Sequence, residues 1–292
     1  MAPAVLRTVA DVKDWTAGLR REGRQLALVP TMGYLHEGHL SLIREGRRRA
    51  DAVAVSIFVN PTQFGPREDL SRYPRDFDGD VAKCASAGAQ AVFAPQGPEV
   101  MYPPGYQTYV EVTDVSQGLC GARRPGHFRG VATIVTQLLT LFRPDVALFG
   151  EKDYQQLQVI RALNRDLHLG ADIVGMPTVR ESDGLAMSSR NAYLSHEERQ
   201  RALSLSRGLY AAQALLRTGV REAGALVGAV RRELEAAGLR EDYVELVDAE
   251  RLTPLASVEP GQHGRLLVAA FSGTTRLIDN MALGGEESVG RV

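Results

Sequence analysis

Apolar runs of strand length alternate with helical patterns from the start of the chain to about residue 180. The runs are typical of strands buried on both faces of a parallel sheet, and they fall at 26–29, 52–59, 91–94, 146–149 and 172–175. Helical periodicity falls between them, at about 40–49, 76–87, 131–142 and 153–167. The alternation predicts an α/β fold: a Rossmann-like, doubly wound parallel sheet with helices on both faces.

The pattern changes after Asn191. Ser195 and Glu198 make a capping-box pattern that predicts the start of a long helix. Helices are predicted over 195–217 and 221–237, and strands over 243–247, 264–271 and 274–278. We therefore expect a smaller C-terminal α+β domain. The boundary is placed near residue 186, so that residues 1–186 form the first domain and residues 187–292 the second.

Composition and charge are those of an ordinary globular chain. The 292 residues carry a formal net charge of −1, and no basic excess indicates a nucleic-acid partner. No uninterrupted apolar run reaches the length of about 18 residues that a membrane-spanning helix needs. Cys84 and Cys120 lack the spacing of a zinc site, and so few thiols fit a reducing compartment. We expect a cytoplasmic protein with no nucleic-acid or membrane partner.

Residues 30–39 place two histidines directly after the first apolar run. The helix that opens there presents unpaired backbone N–H groups and the positive end of its dipole, which favour a phosphate. His36 and His39 lie three apart, so one helical turn puts both on the same side of a bound anion, where each can donate a hydrogen bond. From this segment alone, a metal-binding pair and ordinary surface histidines are the alternatives.

Polar segments follow four of the predicted strands. They occupy 30–39, 60–64, 150–153 and 180–191. Ligands in open α/β sheets gather at the carboxyl ends of the strands, so we expect these four segments to converge on one cleft.

Two of these segments carry further phosphate-binding chemistry. Lys152 lies where an ammonium group can meet a phosphate, and Asp153 can bond a ribose hydroxyl while it caps the following helix. A plain helix cap with a solvated lysine is the alternative. Ser188, Ser189 and Arg190 supply hydroxyl donors and a forked cation, which suit phosphate oxygens, although an exposed domain linker has a similar composition.

Amide and carboxylate side chains complete the candidates. Gln63 carries both a donor and an acceptor, so it can recognise a hydroxy acid or serve as the structural amide of a surface turn. Asp76, Asp78 and Asp80 offer oxygen ligands to magnesium, which commonly joins one carboxylate to substrate phosphates. The alternative is that these acids favour the N-terminus of a helix.

Two segments are expected to move. Residues 118–126, which include Arg123 and Arg124, are predicted to form a mobile basic loop that can lie near the site but has no sequence-specific chemistry. Gly184 lies beside the Ser188–Arg190 segment and predicts a hinge on which the second domain closes as a lid over the first, excluding water.

In this order the polar segments resemble the pantoate–β-alanine ligase family. The matching segments are 30–33, 35–39, 60–64, 73–75, 127–130, 150–156 and 183–191. His-x-Gly-His alone indicates only the wider nucleotidylyltransferase superfamily, whereas the glutamine-bearing segments and Met-Ser-Ser-Arg-Asn at 187–191 are far more specific.

The resemblance implies an ATP-dependent condensation of (R)-pantoate with β-alanine through an enzyme-bound pantoyl adenylate, with Mg²⁺. It implies that His36 and His39 contact the ATP phosphates, with His39 as proton donor. The other residues implied to act on the phosphates are Lys152, Ser188, Ser189 and Arg190. The residues implied to bind ATP are Met32, Gly33, Tyr34, Leu35, His36, Glu37, Gly38, His39, Gly150, Glu151, Lys152, Asp153, Val179, Met187, Ser188, Ser189 and Arg190.

The resemblance also implies the remaining ligands and the assembly. Gln63 and Gln156 are implied to bind pantoate, and Gln63 also adjoins the β-alanine site. Asp80 is the single metal candidate, because this chain has Gly79 where some relatives carry a further acid. A homodimer formed through the first domain is implied. A nucleotidyltransferase of the same superfamily and a non-catalytic ATP-binding sensor are the alternative functions.

Overall fold

The computed structural model describes residues 2–66 and 68–284. The chain divides into two compact units: residues 1–151 with 156–177, and residues 152–155 with 178–292. No helix among the described residues is long and apolar enough to cross a membrane.

The first unit is a parallel sheet with helices between its strands, as predicted, and it has six strands where five were predicted. The strands are β1 (Ala4–Leu6), β2 (Leu26–Thr31), β3 (Ala52–Ile57), β4 (Ala91–Phe93), β5 (Val146–Gly150) and β6 (Asp172–Met176). The helices are α1 (Val9–Arg21), α2 (Glu37–Arg49), α3 (Phe77–Ala87), α4 (Leu119–Arg123), α5 (His127–Phe142) and α6 (Tyr154–Asp166), of which the first two residues of α6 belong to the second unit. The α/β fold class is confirmed.

The strand order β1-β4-β3-β2-β5-β6 reverses direction between β2 and β5. Leu28 on β2 pairs with Ala54 on β3 and with Ala147 on β5. All three residues are fully buried, which explains why these strands read as continuous apolar runs. Such a switch point is the usual place for a ligand, at the carboxyl ends of the strands. The segments after β2 and β5 are therefore the first candidates.

β1 and α1 were not predicted from the sequence. β1 has three residues and pairs only with β4, at the edge of the sheet, so it gives too short an apolar run to recognise. The start of α1 did carry a signal: Thr8 and Asp11 form a capping box, in which the Thr8 hydroxyl accepts from the Asp11 N–H and the Asp11 carboxylate accepts from the Thr8 N–H.

The second unit is a small α+β fold, as predicted. Its helices are α7 (His196–Ala202), α8 (Ser204–Arg217) and α9 (Ala223–Ala236), and its antiparallel sheet has the order β7 (Arg240–Asp248), β8 (Gly264–Ser272) and β9 (Thr275–Leu283). The predicted capping box of Ser195 and Glu198 is present.

Two predictions for this unit were wrong in detail. The single helix expected over 195–217 is divided at Leu203, whose backbone keeps helical angles (φ −59°, ψ −20°), so the sequence periodicity continues through the break. The last strand, β9, runs past residue 278, where the prediction ended. Asp279 and Asn280 lie inside β9 and are buried although they are polar. Their polarity hid the end of the strand.

The chain passes from the first unit to the second after Pro177, whereas the sequence analysis placed the domain boundary near residue 186. Leu185 explains the difference, because its side chain is buried in the apolar core of the second unit with Leu205, Leu209 and Val230. The segment before residue 186 therefore packs with the second unit.

Candidate functional site

The turn between β2 and α2 is held by a buried carboxylate. Asp80, on the first turn of α3, is 1% exposed. Its Oδ2 accepts the Tyr34 N–H at 2.7 Å and its Oδ1 accepts the Leu35 N–H at 2.6 Å. Gly33 (φ +85°) and Tyr34 (φ +52°) both have left-handed backbone angles, which a turn this tight requires.

The two histidines lie together at the start of α2, as predicted. Their ring centroids are 4.1 Å apart, and His36 is the residue that precedes the helix. The His36 N–H donates to His39 Nδ1 at 3.3 Å. That nitrogen therefore accepts, and a neutral His39 carries its proton on Nε2. His39 thus has a fixed tautomer, with its ring N–H at Nε2.

Glu37 was named among the ATP-binding residues, and its carboxylate is paired with Arg44 of the same helix. It is exposed and forms an ion pair with Arg44, one of whose hydrogen bonds is 3.2 Å long. The hydrogen bond from Arg44 lowers the pKa of the Glu37 carboxyl. The negative charge of this side chain suits an anion poorly, so the predicted ATP contact of Glu37 is better suited to its backbone N–H at this helix start.

Gln63 joins the segment after β3 to the segment after β2. Its side chain is 8% exposed, and its Nε2 lies 3.1 Å from the sulfur of Met32. Its Oε1 accepts from Asn60 Nδ2 at 3.1 Å. These two predicted loops therefore do meet within the first unit, and the amide of Gln63 is oriented rather than solvated.

The support behind Gln63 is a network that the sequence analysis did not find. Asn60 is 1% exposed; its Nδ2 also donates to the Gly130 carbonyl at 3.1 Å, and its Oδ1 accepts from the Tyr102 hydroxyl at 2.9 Å. Burial raises the pKa of Tyr102 to about 12, so this hydroxyl keeps its proton as a donor. Asn60 was visible only as part of a motif.

The prediction of a mobile basic loop at 118–126 was wrong. Residues 119–123 form α4, and Arg124 is hydrogen-bonded to both carboxylate oxygens of Glu68, at 2.8 and 2.6 Å. Burial would raise the pKa of Glu68, but its hydrogen bonds and proximity to Arg124 outweigh burial and lower it. A charge pair cannot be read from sequence when its members lie 56 residues apart.

Arg124 also fixes His127. Arg124 Nη1 lies 3.0 Å from His127 Nε2, and His127 Nδ1 lies 2.9 Å from the backbone oxygen of Gln63. An arginine only donates and a carbonyl only accepts, so Nε2 accepts and Nδ1 donates. The chain Glu68–Arg124–His127 therefore ends on the backbone of Gln63.

The strand end after β5 offers space. A methyl group added to Gly150 would meet nothing within 4 Å. Of the glutamines on α6, Gln155 and Gln158 are 4% and 6% exposed, while Gln156 is partly exposed. Helical spacing lets only one or two of these three side chains face the same cleft, and their exposure favours Gln156.

Lys152 is anchored within the second unit. Asn280 Nδ2 donates to the Lys152 carbonyl at 2.8 Å, and Arg265 Nε donates to Asn280 Oδ1 at 2.6 Å. The Lys152 side chain is 18% exposed, with its Nζ 3.6 Å from a carboxylate oxygen of Asp153. Arg265 also stacks on the ring of Tyr154, 3.9 Å from its centroid. Asn280 and Arg265 lie inside strands, so no motif indicated them.

The serine-rich segment begins beside a short antiparallel ladder. Met187 N–H donates to the Val179 carbonyl at 3.0 Å, which brings together two of the residues implied to bind ATP. The Ser188 hydroxyl accepts from the Arg190 N–H at 3.3 Å and opens a short 3-10 helix, Ser189–Tyr193. Ser189 is 8% exposed.

Gly184 lies in a hairpin turn, not in an extended linker. It has φ +93°, its N–H donates to the Glu181 carbonyl at 2.8 Å, and Arg199 binds the carboxylates of both Glu181 and Asp183 at 2.6 Å. All of these residues belong to the second unit, and the passage between the units lies before them, at Pro177. The hinge at Gly184 stays a prediction.

Comparison with known proteins decides the family. A family model described as pantoate-beta-alanine ligase matches residues 4–282. The chain belongs to the pantoate–β-alanine ligase family. A pantothenate synthetase of Myxococcus xanthus is 89% identical over 292 residues, covering all of both chains, and one of Anaeromyxobacter dehalogenans is 62% identical, covering 93% of this chain and 96% of the relative.

Solved structures of this ligase family have the same fold. A pantothenate synthetase from Thermus thermophilus has a TM-score of 0.89 at 46% identity, over 95% of this chain and 98% of that chain. A pantoate-beta-alanine ligase from Francisella tularensis, complexed with "Beta-gamma ATP" and β-alanine, has a TM-score of 0.80 at 30% identity, over 96% and 97%.

The packing of α5 against Gln63 gives a prediction for this ligase. A methyl group on Gly130 would lie 2.5 Å from the Thr62 oxygen and 2.7 Å from the Gln63 Cα. Overpacking costs about 1–3 kcal/mol. The family resemblance implies that Gln63 binds pantoate, so we expect a shift of Gln63 to appear in pantoate binding. We expect Gly130→Ala to lower kcat/KM for pantoate about tenfold, the equivalent of about 1.4 kcal/mol, with KM for ATP unchanged.

Gly224→Ala is the matched control, because Gly224 is a helical glycine whose added methyl meets nothing within 4 Å. Steady-state kinetics with varied pantoate would check the prediction. Equal kcat/KM in Gly130→Ala and Gly224→Ala would show that Gln63 does not depend on this contact.

Proposed function

We propose that this chain condenses pantoate with β-alanine to give pantothenate, with ATP converted to AMP and pyrophosphate. The observation that carries the proposal is the family match over residues 4–282, together with a pantothenate synthetase 89% identical over the whole chain. The ligand-bound Francisella relative supports ATP and β-alanine as substrates.

The first step we propose is adenylation. A carboxylate oxygen of pantoate attacks the α-phosphorus of ATP, the bond to the bridging oxygen breaks, and pyrophosphate leaves. The reaction needs no protein nucleophile, so the rate rests on alignment of the reactants and on neutralising the charge that develops on pyrophosphate. The fixed Nε2–H of His39 and the ammonium group of Lys152 are suited to that charge.

The second step we propose is amide formation. The β-alanine amine attacks the acyl carbon of the pantoyl adenylate, the C–O bond breaks, and AMP leaves with the oxygen that pantoate supplied. Gln63 is proposed to orient pantoate, since its amide is held by Asn60 and Met32. Gln156 is proposed as its partner. Ser188, Ser189 and Arg190 are proposed to hold the phosphates.

Magnesium remains a proposal. Among the described residues there is no group of three or more His, Cys, Asp or Glu side chains that could hold a metal ion. Bound to the phosphates of ATP, Mg²⁺ would neutralise charge on the departing pyrophosphate, which fits an ion that keeps several waters and needs few protein ligands.

Assembly, closure and location are also proposals. We propose a homodimer formed through the first unit, which sedimentation would test. Closure of the second unit as a lid would exclude water from the adenylate. We propose a reducing cytoplasm as the location, because the chain has only two cysteines, Cys84 and Cys120, and both are buried.

Coupled detection of AMP, with each substrate omitted in turn, tests the function. We expect AMP release to require ATP, pantoate and β-alanine together. Pyrophosphate release without AMP release, with the nucleotide retained on the product, would indicate a nucleotidyltransferase instead. ATP binding without pyrophosphate release in the presence of pantoate would indicate a non-catalytic sensor.

A further inference from the structure

Asp80 contacts the turn that leads into the two histidines. Both of its carboxylate oxygens accept backbone N–H groups of that turn, from Tyr34 and Leu35, at 2.7 and 2.6 Å. Leu35 directly precedes His36, whose own N–H fixes the tautomer of His39. The Asp80 carboxylate therefore holds the residue directly before His36, and the His36 N–H determines which ring nitrogen of His39 can donate.

The turn needs such an acceptor. Gly33 and Tyr34 have φ of +85° and +52°. Residues other than glycine seldom adopt positive φ, so the turn must hold Tyr34 in this conformation. The Tyr34 and Leu35 N–H groups lie beside a carboxylate that is 1% exposed, where water cannot replace a lost partner. Charge-assisted bonds to two successive amides hold the turn in one arrangement.

The same geometry does not fit an inner-sphere magnesium ligand. The carboxylate is buried, both oxygens are already bonded to the turn, and the ammonium group of Lys83 lies 4.0 Å from Oδ1. A divalent cation prefers several oxygen ligands and tolerates a neighbouring cation poorly. The prediction of Asp80 as a metal ligand therefore has no support in the contacts of this side chain.

We propose that Asp80 is a positioning residue: it acts through the turn at 33–35 to place His36 and His39 for the phosphates of ATP. The proposal rests on the proposed function, because it assigns a role within the adenylation step. We therefore expect a change at Asp80 to alter kcat/KM for ATP and to leave the affinities for Mg²⁺ and for pantoate unchanged.

The test is Asp80→Asn, which keeps the shape but replaces one acceptor with an NH₂ donor against a backbone N–H. Pantoate-dependent pyrophosphate release is measured at saturating and at limiting ATP, pantoate and Mg²⁺. We expect kcat to fall and KM for ATP to rise, with kcat/KM for ATP lowered at least tenfold. KM for pantoate and the Mg²⁺ midpoint are expected to stay within twofold.

Asp78→Asn is the matched control, because Asp78 is an exposed carboxylate on the same first turn of α3. It should behave like the wild type. Wild-type protein without pyrophosphate release would overturn the proposed function itself. If the wild type is active and Asp80→Asn has the same kcat/KM for ATP, the proposed function stands and the positioning role of Asp80 is wrong.

Two further outcomes are decisive. A Mg²⁺ midpoint raised tenfold or more, with full activity regained at high Mg²⁺, would make Asp80 a metal ligand and overturn the proposal. If thermal unfolding shows that Asp80→Asn does not fold, Gly33→Ala tests the same turn. Its methyl would lie 3.1 Å from Asp80 Oδ2 and 3.1 Å from Ile57 Cγ2, at a φ of +85° that strains an alanine. That variant should repeat the loss in kcat/KM for ATP with an unchanged Mg²⁺ midpoint; an unchanged kcat/KM would overturn the proposal.

Discussion

Replacing His39 with alanine is expected to lower the rate of pantoate-dependent pyrophosphate release by about 10²–10³-fold, because one preorganised donor to developing charge contributes about 2.7–4 kcal/mol. We propose this role for His39 because its Nδ1 accepts the His36 N–H, which leaves its Nε2 to carry the proton that it can donate. The loss should fall mainly on kcat, since the interaction strengthens as pyrophosphate leaves.

Rapid-quench measurement of pyrophosphate formed in one turnover would check the effect on the chemical step. His196→Ala is the control, because His196 is an exposed histidine in the first turn of another helix, α7. It should keep the wild-type rate. Near-normal turnover by His39→Ala, with its fold intact by circular dichroism, would contradict the role given to His39.

Lys152→Met is expected to lower kcat for pyrophosphate release by a similar factor of about 10²–10³. Methionine keeps much of the length of the side chain and removes the charge. The backbone of Lys152 is held by Asn280, whose amide is in turn bonded to Arg265. Because the backbone of Lys152 is held in this way, we expect the variant to keep its position and to lose only the ammonium group.

The chain has three lysines, and Lys13, exposed on α1, provides the matched Lys13→Met control. Stopped-flow detection of pyrophosphate at saturating ATP and pantoate separates kcat from KM. A raised KM for ATP with an unchanged kcat would mean that Lys152 binds ATP and its transition state equally, contrary to the proposed role.

The parallel sheet could be predicted because its central strands are buried on both faces. Leu28, Val55 and Leu148 are fully buried, and such strands read as apolar runs whatever surrounds them. β1 could not be predicted in the same way, since it has three residues at an edge. The break at Leu203 leaves the helical angles unchanged and so leaves no mark on the periodicity.

The candidate site was predictable where its chemistry lies in short motifs. His36, His39 and Gln63 stand in the segments after β2 and β3, and the structure places Gln63 against Met32 of the first segment. The supporting residues are distant in sequence: Arg124 bonds Glu68, and Asn280 bonds the backbone of Lys152. Tertiary folding alone brings such partners together.

An isotope measurement tests whether pantoate attacks the α-phosphorus of ATP. Pantoate labelled with ¹⁸O in its carboxylate is turned over with ATP and β-alanine, and the AMP is analysed by mass spectrometry. The account predicts one ¹⁸O atom in each AMP, because the attacking oxygen stays on phosphorus when the acyl C–O bond breaks. AMP without the label would contradict it.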